Sequence, residues 1–124
     1  MGAIFSSSSK SGEELEMALS KAKEIVSSTP VVVFSKTHCP YCKRVKQLLS
    51  QLGATYKVIE LNSESDGGDI QAALREWTGQ RTVPNVFIGG NHIGGCDSVT
   101  AKHQQGKLVP LLTDAGALAT NSTL

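Results

Sequence analysis

Cysteine is scarce in this 124-residue chain: Cys39, Cys42 and Cys96 are the only three. A small secreted scaffold stapled by disulfides carries a denser, even set. Two cysteines separated by two residues in so sparse a background point instead to redox or metal chemistry in a reducing compartment, and the expected location is the cytoplasm. An excess of one charge is also missing. Twelve Lys and Arg against eleven Asp and Glu leave a formal charge of +1, which gives no ground for a nucleic-acid partner. No apolar run approaches the ~20 residues a membrane span needs. The opening MGAIFSSSSKSG lacks the apolar core of a secretory signal, so the acceptor-like Asn121-Ser122-Thr123 is read as a chance match.

What is present fits one globular domain, with an ordinary apolar fraction of 40%. Residues 1–12, Ser-rich at the start, are expected to be a disordered tail, 13–118 the domain and 119–124 a flexible end. Met1-Gly2 with Ser6 matches the N-myristoylation pattern. The alternative is a coincidence of a short motif, and one acyl chain gives only marginal membrane binding. Membrane contact is therefore expected only if Gly2 is acylated.

Periodicity supplies the elements. Ser11 and Glu14 form a capping box, and Leu15, Ala18, Leu19, Ala22 and Val26 then mark one helical face up to Ser27-Ser28-Thr29-Pro30. Val31-Val32-Val33-Phe34 is the continuous apolar, β-branched run of a strand buried on both faces. Pro40 suits a first helical turn, where its missing N–H costs nothing. Val45, Leu48, Leu49 and Leu52 follow at helical spacing, and Gly53 then ends the helix. A strand is predicted over Tyr56–Leu61, a polar turn over Ser63–Gly68, and a helix through Ile70, Ala73, Leu74 and Trp77 stopped by Gly79. Val86–Ile88 and Asn91–Ile93 about Gly89-Gly90 read as a hairpin. Helices over Asp97–Gln105 and Leu108–Leu118 complete the order. The sum is an α/β domain with a small mixed sheet between helix layers.

The chemistry concentrates in Cys39-Pro40-Tyr41-Cys42, directly after the buried strand and at a helix start. Residues i and i+3 of a first turn lie on one side, close enough for their sulfurs to bond. So short a loop adds little stability by chain entropy, which suits a bond that must cycle. A free thiol, with a pKa of about 8.5, is only slightly ionised at neutral pH. The unpaired N–H groups and dipole of a helix N-terminus favour the anion. Cys39 precedes the helix and is expected to feel this most, with Lys36, Lys43 and Arg44 adding positive potential; Cys42, inside the helix, is expected to be the resolving thiol. A CxxC can also be half of a zinc site, but Cys96 with His38, His92 or His103 would have to complete it, and no second knuckle is recognisable. His38 reads as a solvated loop residue rather than a tuning cation.

Cys39-Pro40-Tyr41-Cys42, Thr82-Val83-Pro84 and Gly94-Gly95-Cys96-Asp97, in this order and spacing, resemble the motifs of dithiol glutaredoxins. The stretches VVVFSKTHCPYCKRVKQLL, EWTGQRTVPNVFIGGNHIGGCDS and GKLVPLL resemble plant class I members, and the likeness runs over about Glu14–Leu118. The resemblance implies a thioredoxin-like fold with a central mixed four-stranded sheet flanked by helices. It implies glutathione as co-substrate, and as substrates protein–glutathione mixed disulfides and protein disulfides. In this likeness Cys39 is the nucleophile and Cys42 resolves. Thr82, Val83 and Pro84 form the loop whose cis proline faces the site, and the Val83 backbone pairs with the cysteinyl part of glutathione. Lys36 and Gln71 hold its glycine carboxylate, Tyr41 lines the groove, and Cys96 and Asp97 receive the γ-glutamyl end. On their own, Lys36 and Gln71 read as solvated surface, Asp97 as a helix N-cap and Cys96 as a small apolar residue.

One departure separates this chain from some similar plant members that share its MG-x-x-F-S start. They carry Gly where it has Pro40, and some assemble a [2Fe–2S] cluster between two subunits through the first cysteine and glutathione. A proline restricts φ there and disfavours that assembly. The alternative function is therefore a glutathione-ligated cluster homodimer with Cys39 as its ligand, storing or sensing iron–sulfur status. The expected form otherwise is a monomer with no metal.

Overall fold

In the computed structural model, the backbone is described for residues 2–118 and side chains for 12–118. The elements run α1 (Gly2–Ser28), β1 (Val31–Ser35), α2 (Pro40–Gln51), β2 (Lys57–Glu60), a 3₁₀ turn (Leu61–Ser63), α3 (Gly67–Thr78), β3 (Asn85–Ile88), β4 (Asn91–Gly94), α4 (Cys96–Gln104) and α5 (Leu108–Asp114). The sheet order is β2-β1-β3-β4. β1 pairs parallel with β2 and antiparallel with β3, and β3 pairs antiparallel with β4. This is the thioredoxin-like mixed sheet flanked by helices that the sequence implied.

All five residues of β1 are buried because both faces of the strand are covered. Val32 and Phe34, with Ile59 and Phe87, pack against Ala18, Ala22 and Val26 of α1 and Ile70, Ala73 and Leu74 of α3. Val31 and Val33, with Val86 and Ile88, face Val45 and Leu49 of α2, Val99 of α4 and Leu108 and Leu112 of α5. Each fully buried side chain of this size contributes about 1.5–3 kcal/mol. Two cores of this size hold β1 in the centre of the sheet, and the loop after it inherits that rigidity.

Three boundaries differ from expectation. α1 begins at Gly2, so Ser11 and Glu14 lie inside the helix instead of capping it, and residues 2–12 are helical where a disordered tail was expected. Propagating a helix that packing has already nucleated is cheap, and Ser costs only about 0.5 kcal/mol per residue against Ala. Gly67 and Gly68 open α3, although they were read as part of a polar turn. Gly67 serves closeness of approach: a Cβ there would lie 1.7 Å from the Leu61 carbonyl oxygen, so only glycine lets α3 start against the 3₁₀ turn. α5 ends at Asp114, short of Leu118, where Gly116 turns to a left-handed φ of 82°. The expected tail 119–124, its Asn121-Ser122-Thr123 match and Met1 lie outside the described residues. Among the described residues, no helix is long and apolar enough to cross a membrane.

Candidate active site

The site forms where β1 runs into α2. Cys39 is the N-cap of α2, in extended backbone (φ −99°, ψ 113°), and Pro40 opens the helix. The Cys42 N–H donates to Cys39 Sγ at 3.2 Å. A cap that is a sulfur thus takes an N–H the helix would otherwise leave unpaired, and that bond strengthens when the sulfur is an anion. Cys39 is half-buried, whereas Cys42 is buried. Burial pushes the Cys42 thiol above its ordinary range, and its hydrogen bond to Cys39 and the charge there push the same way. The two thiols are therefore unequal, the outer one reachable and the inner one held protonated.

Side chains behind the loop fix its position. The Cys39 N–H donates to the Lys36 carbonyl at 3.2 Å. Asn62, on the 3₁₀ turn, accepts from the Thr37 N–H at 3.0 Å and donates to Thr37 Oγ1 at 2.7 Å. This reciprocal pair pins the approach to Cys39 from outside the CxxC motif.

The facing wall comes from far along the chain. The Val83-Pro84 peptide is cis, and the Cys39 thiol lies 3.7 Å from the Val83 carbonyl it can donate to. Gln80 Nε2 donates to the carbonyls of both Thr82 (3.0 Å) and Pro84 (2.9 Å), bracketing Val83. The β4–α4 turn lies against this loop at Gly95 and is shaped by Gly94. Gly94 has φ 125°, and a Cβ there would come within 2.7 Å of Ser98 Oγ; at Gly95 it would lie 3.5 Å from the Pro84 oxygen. Asn85, buried just after Pro84, has its Oδ1 2.8 Å from His92 Nε2, so His92 faces Asn85 and not a cysteine.

The result is a groove of about 540 Å³ lined by Tyr41, Gln80, Thr82, Val83, Pro84, Gly95, Cys96, Asp97 and Ser98. Six of the residues singled out from sequence thus share one groove: Tyr41, Thr82, Val83, Pro84, Cys96 and Asp97. Cys39 stands beside it, bonded to Val83, with Cys42 behind. Lys36 and Gln71 are outside its walls. Gln71 lies in a second cleft of about 280 Å³ with Arg75 and Arg81, and its amide donates to the Arg81 carbonyl at 2.8 Å. Sequence reading missed Gln80, Ser98 and Asn62. No local signal marks them, since a lone Gln, Ser or Asn reads as surface wherever it stands.

This arrangement can perform thiolate attack on a disulfide lying in the groove, followed by resolution from behind. The glutaredoxin family model matches residues 31–93. The chain is 69% identical over 123 residues to Glutaredoxin-C1 of Arabidopsis thaliana, covering 99% of this chain and 98% of that protein. The crystal structure of a buckwheat glutaredoxin–glutathione complex matches with a TM-score of 0.86 at 69% identity, over 86% of this chain and 97% of that one. The solution structure of reduced glutaredoxin C1 from Populus tremula x tremuloides matches with a TM-score of 0.87 at 64% identity, over 91% and 97%. With a buried strand delivering a CxxC to a helix N-terminus, a cis-proline loop opposite, and these likenesses over nearly its whole length, the chain belongs to the glutaredoxin family of thiol–disulfide oxidoreductases.

Proposed function

We propose that this protein reduces protein–glutathione mixed disulfides by a one-thiol route through Cys39, and protein disulfides by a two-thiol route that adds Cys42. In the first, the Cys39 thiolate attacks the glutathione sulfur of the mixed disulfide. The protein sulfur leaves and takes up a proton, and Cys39 carries the glutathione. The thiolate of a second, free glutathione attacks that glutathione's sulfur, releasing oxidised glutathione and restoring the Cys39 thiolate; the net change exchanges the protein's disulfide for that of oxidised glutathione at the expense of one free glutathione thiol. In the second route Cys42 displaces the substrate from Cys39, and two glutathiones reduce the resulting disulfide.

The groove supports a peptide-like ligand laid along the Val83 backbone in the manner of an added strand. Asp97 pairs with the ligand's ammonium, Tyr41 and Cys96 flank it, and Lys36 and Gln71 hold its carboxylate end. The buckwheat relative, whose structure is that of a glutathione complex, supports the choice of ligand. The protein acts as a monomer in the reducing cytoplasm, and meets a membrane only if Gly2 is acylated.

The observation that carries this reading is the Cys42 N–H donated to a half-buried Cys39 sulfur while Cys42 itself is buried. Turnover of a glutathione mixed disulfide tests it. Cys39→Ser is expected to abolish activity and Cys42→Ser to retain it; equal loss in both contradicts the one-thiol route.

A [2Fe–2S] cluster needs four ligands. A cluster shared by two subunits draws these as one cysteine and one glutathione from each, and Cys39, the one reachable sulfur of this CxxC, matches that demand; Pro40, which fixes the first helical residue, disfavours the assembly. Anaerobic reconstitution with glutathione is expected to give a colourless monomer.

A further inference from the structure

Charge is distributed unevenly around the thiol. From Lys36 to Gln51 the chain carries Lys36, Lys43, Arg44 and Lys46 and not one Asp or Glu, although the protein as a whole is balanced at +1. Lys46 is paired with Glu60. Among the described residues the only other ion pair is Lys21–Asp66, far along the chain. Lys43 and Arg44 are thus exposed cations with no carboxylate partner.

Their position opposes helix stability. The first turn of α2 has no acidic residue, and a cation near it meets the positive end of the helix dipole, which is unfavourable. Lys43 is four residues after Cys39, on the same side of the helix, and its backbone N–H bonds the Cys39 carbonyl. Arg44 does something different. Its guanidinium lies 5.3 Å from the centre of the Tyr41 ring, on a side chain that is 54% exposed and forms one wall of the groove. Stacking on an aromatic face orients the guanidinium and leaves its N–H edge free to meet a carboxylate.

We infer that Arg44, stacked over Tyr41, and Lys43 form a cationic platform beside Cys39 that docks protein substrates whose modified cysteine is flanked by acidic residues. The inference rests on the deglutathionylation reading above and adds the identity of the protein partner. The groove along Val83 takes the glutathione half of a mixed disulfide, and the protein half then leaves Cys39 across the start of α2. Carboxylates on either side of the substrate cysteine meet Arg44 and Lys43, while a lysine-flanked cysteine is repelled. Exposed pairs of this kind act mainly on association and specificity, and they weaken with salt.

The test uses the full chain and two synthetic glutathionylated peptides that differ only in flanks, two Asp or two Lys on each side of the modified cysteine. A small glutathione mixed disulfide serves as a third substrate. For the wild-type protein at low salt, kcat/KM for the Asp-flanked peptide is expected to exceed that for the Lys-flanked one by about tenfold, and high salt is expected to shrink that ratio. K43E/R44E is expected to invert it and K43Q/R44Q to bring it near one. The ratio cancels any common effect of these charges on the Cys39 thiolate, and the neutral variant covers the case in which charge reversal impairs folding. A wild-type ratio near one, or the same ratio in wild type and variants, overturns the platform. Absence of turnover on all three substrates instead overturns the deglutathionylation reading, and the platform falls with it.

Discussion

The two walls of the active site are built in opposite ways. The Cys39 wall is a contiguous tetrapeptide at the start of α2, and its main interaction, the Cys42 N–H to the Cys39 sulfur, spans three residues. The facing wall is assembled from the end of α3, the cis-proline loop and the β4–α4 turn. It is held by a glutamine amide shared between two carbonyls, and its turn depends on Gly94 at φ 125° beside Ser98. A local device forms once its helix forms. The assembled wall exists only when three segments have docked, so the first should tolerate damage to global packing better than the second.

Substitutions can break that contrast at different strengths. The largest effect is expected from Gly94→Ala. It forces a side chain into φ 125° and against Ser98, so a loss of about 2–3 kcal/mol should appear in denaturant unfolding, with a rise in KM as the turn pulls away. Gln80→Leu comes next. It removes both bonds bracketing Val83, which should raise KM for a glutathionylated substrate about tenfold, equivalent to roughly 1–2 kcal/mol, while alkylation of Cys39 stays fast. Equal damage to alkylation would mean that the walls are not independent.

The smallest effect lies on the local wall. The fold holds Cys42 as a raised, protonated thiol. That contribution to stability is complete below the thiol's ordinary value and is lost as pH rises through the raised one. Thermal unfolding across the alkaline range should therefore show a decline that Cys42→Ala flattens.

The same contrast explains what sequence reading could see. The β1 run of four apolar residues, Pro40 at the helix start and the Gly79 stop each act within one turn or strand, and the structure places them as expected. Cys39 and Cys42 belong to that class, since their roles follow from position relative to one helix end. The facing wall was legible only through resemblance, because nothing local in Thr82-Val83-Pro84 states that it will meet Cys39. Gln80 and Asn62 were not legible at all, since their work is done on carbonyls and hydroxyls that only the fold brings near. Gly67 misled for the same reason. It reads as a flexible turn residue, but its partner is the carbonyl of Leu61, six positions back.

The shielded position of Cys42 also bears on survival under peroxide. If an oxidant converts Cys39 to a sulfenic acid, the thiol of Cys42, whose backbone N–H already bonds that sulfur, can condense with it, expelling water and leaving a disulfide that glutathione reopens. The inner sulfur thereby guards the outer one against irreversible damage, and burial keeps the guard itself away from the oxidant.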